Sequence, residues 1–337
     1  NFTTPEFNVN IAQLPFWALT VYYTWRCIRY DKAIDYVFLG LFAGLGILSK
    51  YLFIYLIIGI KLVFFYFLKK RIKFLHFFIA GPITLLILLP HIFWLIDNNF
   101  ATFLYGLKRT GESVNYLDHL INPIIFIIKQ FVVLIPFFVM SLVLFKKINF
   151  NLNFKDEKII FLFFTTLVPL ILILSTSLLM GAKIRTMWMT PFYIFFGVLF
   201  IYLLKKRINI NRIKSFFSVF LFLFFLSPII YLYISISQND KRTDYPGREI
   251  AYLVQDRWDK NFQNEISIVV GDEWSGGNLS YHLKSRPKWF NNLDKNLKDI
   301  DKDAGFIYIG NPEVLKQICP GIYGTIKPVG ICMIGKK

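Results

Sequence analysis

Cysteine, acidic residues and internal repeats are scarce or missing in this chain, and each lack narrows what it can be. Three cysteines among 337 residues allow one intramolecular disulfide at most, so no cysteine framework organises the fold. Cys27 stands where a hydrophobic stretch meets a basic loop. Cys319 and Cys332 share a polar C-terminal segment, where they pair if that segment faces an oxidising compartment and stay free thiols otherwise. Asp and Glu number 21 against 38 Lys and Arg, a net charge of +17. In a soluble protein that excess would point to nucleic acid. Here the cations gather between hydrophobic runs, where they report membrane topology, so nucleic acid is excluded as a partner. The first residue is Asn1, with no initiator Met and no signal-peptide pattern, and the opening residues read as a loop entering a helix. The sequence is therefore expected to be an N-terminally truncated piece. Neither a solenoid repeat nor an inverted-repeat symmetry is evident, and the second lack counts against a transporter.

Apolar residues are what the chain has in excess. Hydrophobic side chains make up 55% and aromatic ones 19% of it, with 38 Phe, well above the average soluble domain. They come in runs of roughly 16 to 25 residues, the length that carries a helix across about 30 Å of hydrocarbon. Eight such runs fall near 8–25, 33–48, 51–68, 74–96, 121–145, 159–179, 189–204 and 216–236. The expected fold class is a polytopic α-helical membrane protein of about eight transmembrane helices, occupying residues 1–236.

Orientation follows from the short loops. One alternate set carries Arg26, Arg29 and Lys32, then Lys69, Lys70, Arg71 and Lys73, then the cations of 146–158 and of 205–214; this set is expected to be cytoplasmic. The opposite loops hold only Lys50, Lys108 with Arg109, and Lys183 with Arg185. Residues 237–337 turn polar and charged, and are expected to form a small extracytoplasmic α/β domain with a helix over 248–259 and strands at 266–270 and 306–309.

Candidate chemistry collects on the sparse side. Glu6, just ahead of the first run, reads either as a base or ligand or as a solvated helix-start residue favoured by the dipole. Lys50, at the tip of a tight hairpin, reads as a phosphate-binding point charge or as a snorkelling anchor. His91 and Asp97 mark the exit of the fourth run beyond Pro90. With Glu6 they are the candidate ligands of a divalent metal, which requires a carboxylate near the imidazole; a packed or hydrogen-bonded His91 is the readier reading. The 97–120 loop brings Arg109 and aromatics together, and Lys183, Arg185 and Trp188 stand at the junction of the sixth and seventh runs. Phosphate recognition and an ordinary interfacial belt both fit that junction.

Several short stretches carry a family resemblance: TTPEF (3–7), LPFWALT (14–20), GLGILSKY (44–51), PHIFW (90–94), RTMWMTP (185–191), YPGREIA (245–251) and GDEWSGGNLSY (271–281). At these residues the chain resembles bacterial glycosyltransferases of the dolichyl-phosphate-mannose protein mannosyltransferase type, family 39 of the GT-C superfamily, to which the aminoarabinose lipid A transferases are related. The resemblance implies an inverting transfer of sugar from a polyprenyl-phosphate donor to a protein, lipid A or other glycan acceptor, at a bacterial inner membrane and on its periplasmic side. It implies that Glu6 is a second acidic position, that Lys50 lies near the carrier phosphate, and that Arg185 and Trp188 sit at the later junction; Arg109 and Lys183 are the further cations expected to serve the donor. It also implies that the principal catalytic acid lies upstream of Asn1, so that this piece alone is inactive. The alternative reading is a polytopic transporter or lipid flippase, which would place ionisable groups near mid-bilayer.

Overall fold

The computed structural model describes residues 7–71, 74–110, 115–145, 155–205, 208–238, 244–291 and 302–337. Its packing divides the chain into two compact units, Asn1–Tyr233 and Ile234–Lys337.

Among the described residues, the first unit is built of helices, with one isolated bridge between Phe145 and Ile208. Helix α1 (Val9–Tyr30) starts at Asn8, whose side chain accepts from the Asn10 amide, and ends at Asp31 in the left-handed region. Helix α2 (Ala33–Ser49) leads through a 3-10 turn, Tyr51–Phe53, into α3 (Ile54–Arg71). Next come α4 (Phe74–Asp97), α5 (Ala101–Thr110) and α6 (Asp118–Leu144). Helix α7 (Glu157–Leu162) runs through a π-helical turn, Phe163–Leu167, into α8 (Val168–Met180). A 3-10 segment, Thr186–Tyr193, precedes α9 (Phe196–Leu204), and α10 (Ile213–Ser237) closes the series.

Every one of the eight apolar runs is thus helical, but the eight expected crossings are not all supported. Among the described residues, four helical stretches are long and apolar enough to span a membrane: Phe78–Asp97, Asp118–Leu144, Glu157–Met180 and Ile210–Ser237. The pair Thr186–Tyr193 and Phe196–Leu204, bent by 51°, makes a fifth if it is one span. Ala33–Ser49 and Tyr51–Phe67 are apolar but shorter, and α1 dilutes its apolar residues with Asn10, Gln13 and several Thr and Tyr. The 97–120 stretch, read from sequence as a loop, contains α5; a ten-residue helix is too short to stand out as a periodic run.

Helices α1, α2 and α3 share one core with α8 and the 3-10 segment, centred on Trp17, Tyr36, Phe53, Leu56, Ile173, Met189 and Phe192. The Trp17 ring lies 5.4 Å from Phe53 and 4.8 Å from Phe192. Helices α2 and α4 approach so closely that a Cβ on Gly40 would sit 2.5 Å from the Ala80 carbonyl oxygen, and one on Gly44 would meet Ile87 at 2.9 Å. A small residue every fourth position brings helix backbones together in a membrane. Thr84 uses the proximity, donating to the Gly40 carbonyl at 3.0 Å.

The second unit is α/β. Strands β1 (Ile268–Val270), β2 (Lys288–Phe290), β3 (Phe306–Gly310), β4 (Ile322–Ile326) and β5 (Val329–Ile334) form one sheet in the order β2-β1-β3-β5-β4. β1 runs parallel to β2 and β3, while β5 is antiparallel to β3 and β4. Helices α11 (Gly247–Asn261), α12 (Ser275–His282) and α13 (Pro312–Ile318) accompany it, with Val254 and Trp258 of α11 buried against Val269, Ile307 and Ile331. The expected helix and both expected strands are present; β2, β4 and β5 are additional. Cys319 and Cys332 are disulfide-bonded, their Cα atoms 5.6 Å apart.

Candidate functional site

Helix α2 stops at Lys50 because the chain there turns extended, φ −168° and ψ 134°, and close packing fixes the stop: a Cβ on Gly46 would collide with the Phe53 ring at 2.4 Å. The Lys50 carbonyl accepts from the Phe53 amide at 3.0 Å and from Gln13 Nε2 at 3.2 Å. Its ammonium donates to Asn10 Oδ1 at 2.6 Å and lies 4.7 Å from the Trp188 ring centroid. Three elements distant in sequence therefore converge on one cation: the start of α1, the α2/α3 turn and the 3-10 segment.

The electrostatics of this cluster are unusual. Lys50 is half-buried, and among the described residues no carboxylate pairs with it. Burial in the turn pulls its ammonium down to about 7, because desolvation penalises the charged form. An amide oxygen and an indole face are its partners, so its charge is solvated without being neutralised. A group of this kind is suited to receive an anion.

The other sequence candidates divide. Lys183 and Arg185 are exposed on the 181–185 loop, which is pinned by Asn122 Nδ2 donating to the Gly181 carbonyl at 2.7 Å and by the Ser177 hydroxyl donating to Ala182 at 2.8 Å. The Lys183 amide donates to Thr110 at 2.9 Å, joining that loop to the end of α5, where Arg109 bonds Tyr105 at 2.6 Å. Lys50 and Trp188 are thus in contact, the Trp188 amide donates to the Arg185 carbonyl at 3.0 Å, and the Lys183 amide ties the same loop to the end of the helix that carries Arg109.

The metal candidates do not assemble. Glu6 lies outside the described residues. His91 Nε2 is 2.6 Å from the Tyr51 hydroxyl, which in turn is 2.7 Å from Thr102 Oγ1, and the His91 ring stacks on Trp94. Asp97, at the exposed end of α4, does not join it. Among the described residues no three His, Cys, Asp or Glu groups converge as a metal site would need.

Asn10, Gln13, Tyr51 and Thr102 were not singled out by sequence. The available signal was a pair of buried amides spaced three apart on one face of α1. In the second unit, the GDEWSGG stretch serves the fold. Although burial opposes it, Asp272 is held below the usual carboxylate range by the Ser275 hydroxyl and by the Trp274 and Ser275 amides, and a Cβ on Gly276 would meet the Trp289 indole at 2.7 Å.

Against this geometry, one comparison is informative. Residues 1–94 match the family model of the dolichyl-phosphate-mannose-protein mannosyltransferases. The match supports a membrane glycosyltransferase that draws on a polyprenyl-phosphate-sugar donor. It spans α1 through most of α4, and so contains Asn10, Gln13, Lys50 and His91 but neither Arg109 nor the Trp188 segment. No curated protein matches the chain, and no solved structure does.

Proposed function

We propose that the chain transfers a sugar, mannose or a relative, from a polyprenyl phosphate to an extracytoplasmic acceptor, with Lys50 at the donor phosphate. The observation that carries this reading is the un-neutralised Lys50 ammonium, set between Asn10 and Trp188 inside the matched segment. In an inverting displacement the acceptor oxygen attacks the anomeric carbon as the carrier phosphate departs. Negative charge grows on the leaving oxygen, and a preorganised cation lowers that barrier. Lys183, Arg185 and Arg109 supply the wider positive field that draws the donor in, and Trp188 holds Lys50 in place. An acidic side chain, with Glu6 as one candidate, takes the acceptor proton; a divalent metal is compatible with this chemistry and enters no step here.

Eight crossings, with residues 237–337 on the periplasmic side of a bacterial inner membrane, belong to the same reading. The Cys319–Cys332 disulfide supports that side, since such bonds persist in oxidising compartments. The acceptor is a protein, lipid A or another glycan.

The test is Lys50→Met in the full-length protein. Losing one charge-assisted contact worth about 1.5–3 kcal/mol weakens polyprenyl phosphate binding roughly tenfold to a hundredfold and lowers transfer with it. Normal transfer by this variant refutes the assignment. Vesicle uptake of lipid-linked sugar without transfer would favour the transporter reading instead.

A further inference from the structure

Asn10 and Gln13 lie three residues apart on the inner face of α1, at 1% and 0% exposure. Each spends one amide atom on Lys50. Asn10 Oδ1 accepts from the ammonium, and Gln13 Nε2 donates to the main-chain carbonyl. These contacts fix which way both amides face, because an ammonium needs an acceptor and a carbonyl needs a donor. The second atom of each amide, Asn10 Nδ2 and Gln13 Oε1, is then buried without a hydrogen-bond partner. Interior polar atoms are nearly always paired, and leaving one unmade costs more than a typical hydrogen bond returns. Two orphans of opposite polarity, a donor and an acceptor, thus belong to amides that both bond Lys50, one at its ammonium and one at its main-chain carbonyl.

We propose that Asn10 and Gln13 read the donor: Asn10 Nδ2 donates to a phosphate oxygen held by Lys50, and Gln13 Oε1 accepts from a hydroxyl of the sugar beside that phosphate. The inference rests on the reading of Lys50 as the phosphate site and adds a selectivity to it. The ligand class is an anionic oxygen with sugar hydroxyls alongside, which a glycosyl phosphate has and a bare carrier phosphate or hydrocarbon tail lacks. A buried acceptor built to meet a hydroxyl discriminates strongly against ligands without one, because it stays unpaired in their complexes. Trp188, half-buried against the ammonium, borders the same site.

The experiment compares wild type, Lys50→Met and Gln13→Met of the full-length protein in detergent, with polyprenyl phosphate and polyprenyl-phosphate mannose as probes. Methionine keeps the length of glutamine and removes both amide atoms. Wild type is expected to prefer the mannosylated carrier by about tenfold, roughly one hydrogen bond. Gln13→Met loses that preference, read as the ratio of the two affinities on the one variant, because losing Nε2 also removes the donor to the Lys50 carbonyl. Singly deoxygenated mannosyl carriers offered to wild type give the same answer without a variant: one of them binds no better than polyprenyl phosphate. If Lys50→Met loses phosphate binding but Gln13→Met keeps the preference, or no deoxygenated carrier loses it, the amide proposal falls and the phosphate site stands. If Lys50→Met binds both probes as wild type does, the phosphate site falls and the amide proposal with it.

Discussion

Removing Arg26 should destabilise the helical unit more than any change at a loop cation, and the reason is Asp35. That residue is 1% exposed in the first turn of α2, and Arg26 Nε reaches its carboxylate at 2.7 Å. The guanidinium also faces the rings of Tyr22, Tyr23 and Tyr30. Arg26→Met retains much of the stem that covers those rings and deletes the charge. Breaking a buried pair from one side costs about 3–5 kcal/mol, because the remaining ion is left uncompensated. The Arg26 side chain is 33% exposed, so water screens its end of the pair and the loss falls below that range. In a unit of this size that lowers the melting temperature by about 2–4 °C for each kcal/mol lost.

The control separates the ion pair from simple packing. Arg26→Met combined with Asp35→Leu removes both charges, and replacing a buried pair by apolar groups is close to neutral. Thermal unfolding of the purified protein in one detergent, followed for both variants, should show the double variant recovering most of the loss. A double variant no more stable than Arg26→Met would refute the argument, since it would show that the guanidinium's packing, and not its charge, supports α1 against α2.

Three further outcomes follow from separate features. With the Lys50 ammonium near 7, affinity for a polyprenyl phosphodiester should hold below pH 7 and fall as the lysine loses its proton above it; titration calorimetry showing flat affinity from pH 6 to 9 contradicts this. Gly40→Val forces a side chain into the Ala80 carbonyl and should cost about 1–3 kcal/mol, whereas Gly81→Ala, with nothing within 4 Å, should gain about 0.5–1 kcal/mol of helix propensity by the same unfolding assay. The disulfide spans 13 residues and should contribute about 3 kcal/mol, seen as a lower melting temperature of the C-terminal unit under reductant in wild type but not in Cys319→Ser/Cys332→Ser.

How much of this was legible in the sequence depends on whether the signal was summed or pairwise. Apolar run length adds over many residues, so each of the eight runs is helical. Whether a helix crosses a membrane rests on one or two turns more, and α2 and the third apolar helix fall just short. In the second unit the apolar spacing of 248–259 was enough to find α11. Strand β5 escaped because VGICMI is buried at every position, giving no alternation to read, and its pairing with β3 and β4 is a long-range choice. The site was half legible for the same reason. Lys50 stood out as a lone cation beside an apolar hairpin, and Trp188 as an aromatic near a junction, yet nothing local joins them. Asn10 and Gln13 carry no local signal of a role; Lys50, 40 and 37 residues on, gives each amide its partner.

The two ends of α1 then show one physical rule used in opposite senses. Near its C-terminal end Arg26 meets the buried carboxylate of Asp35, and the pair cancels. Near its start, sixteen residues earlier and about 24 Å along the axis, Asn10 meets the Lys50 ammonium with a neutral oxygen, and the charge remains. A carboxylate at position 10 would have stabilised Lys50 better and left it with little attraction for a phosphate, since an ion already paired offers an incoming anion mostly desolvation cost. Asn10→Asp makes that exchange. It should raise the melting temperature, weaken polyprenyl phosphate binding by more than tenfold, and so separate a cation kept for structure from one kept for a ligand; tighter binding alongside the greater stability would mean that the neutrality of Asn10 has no functional part.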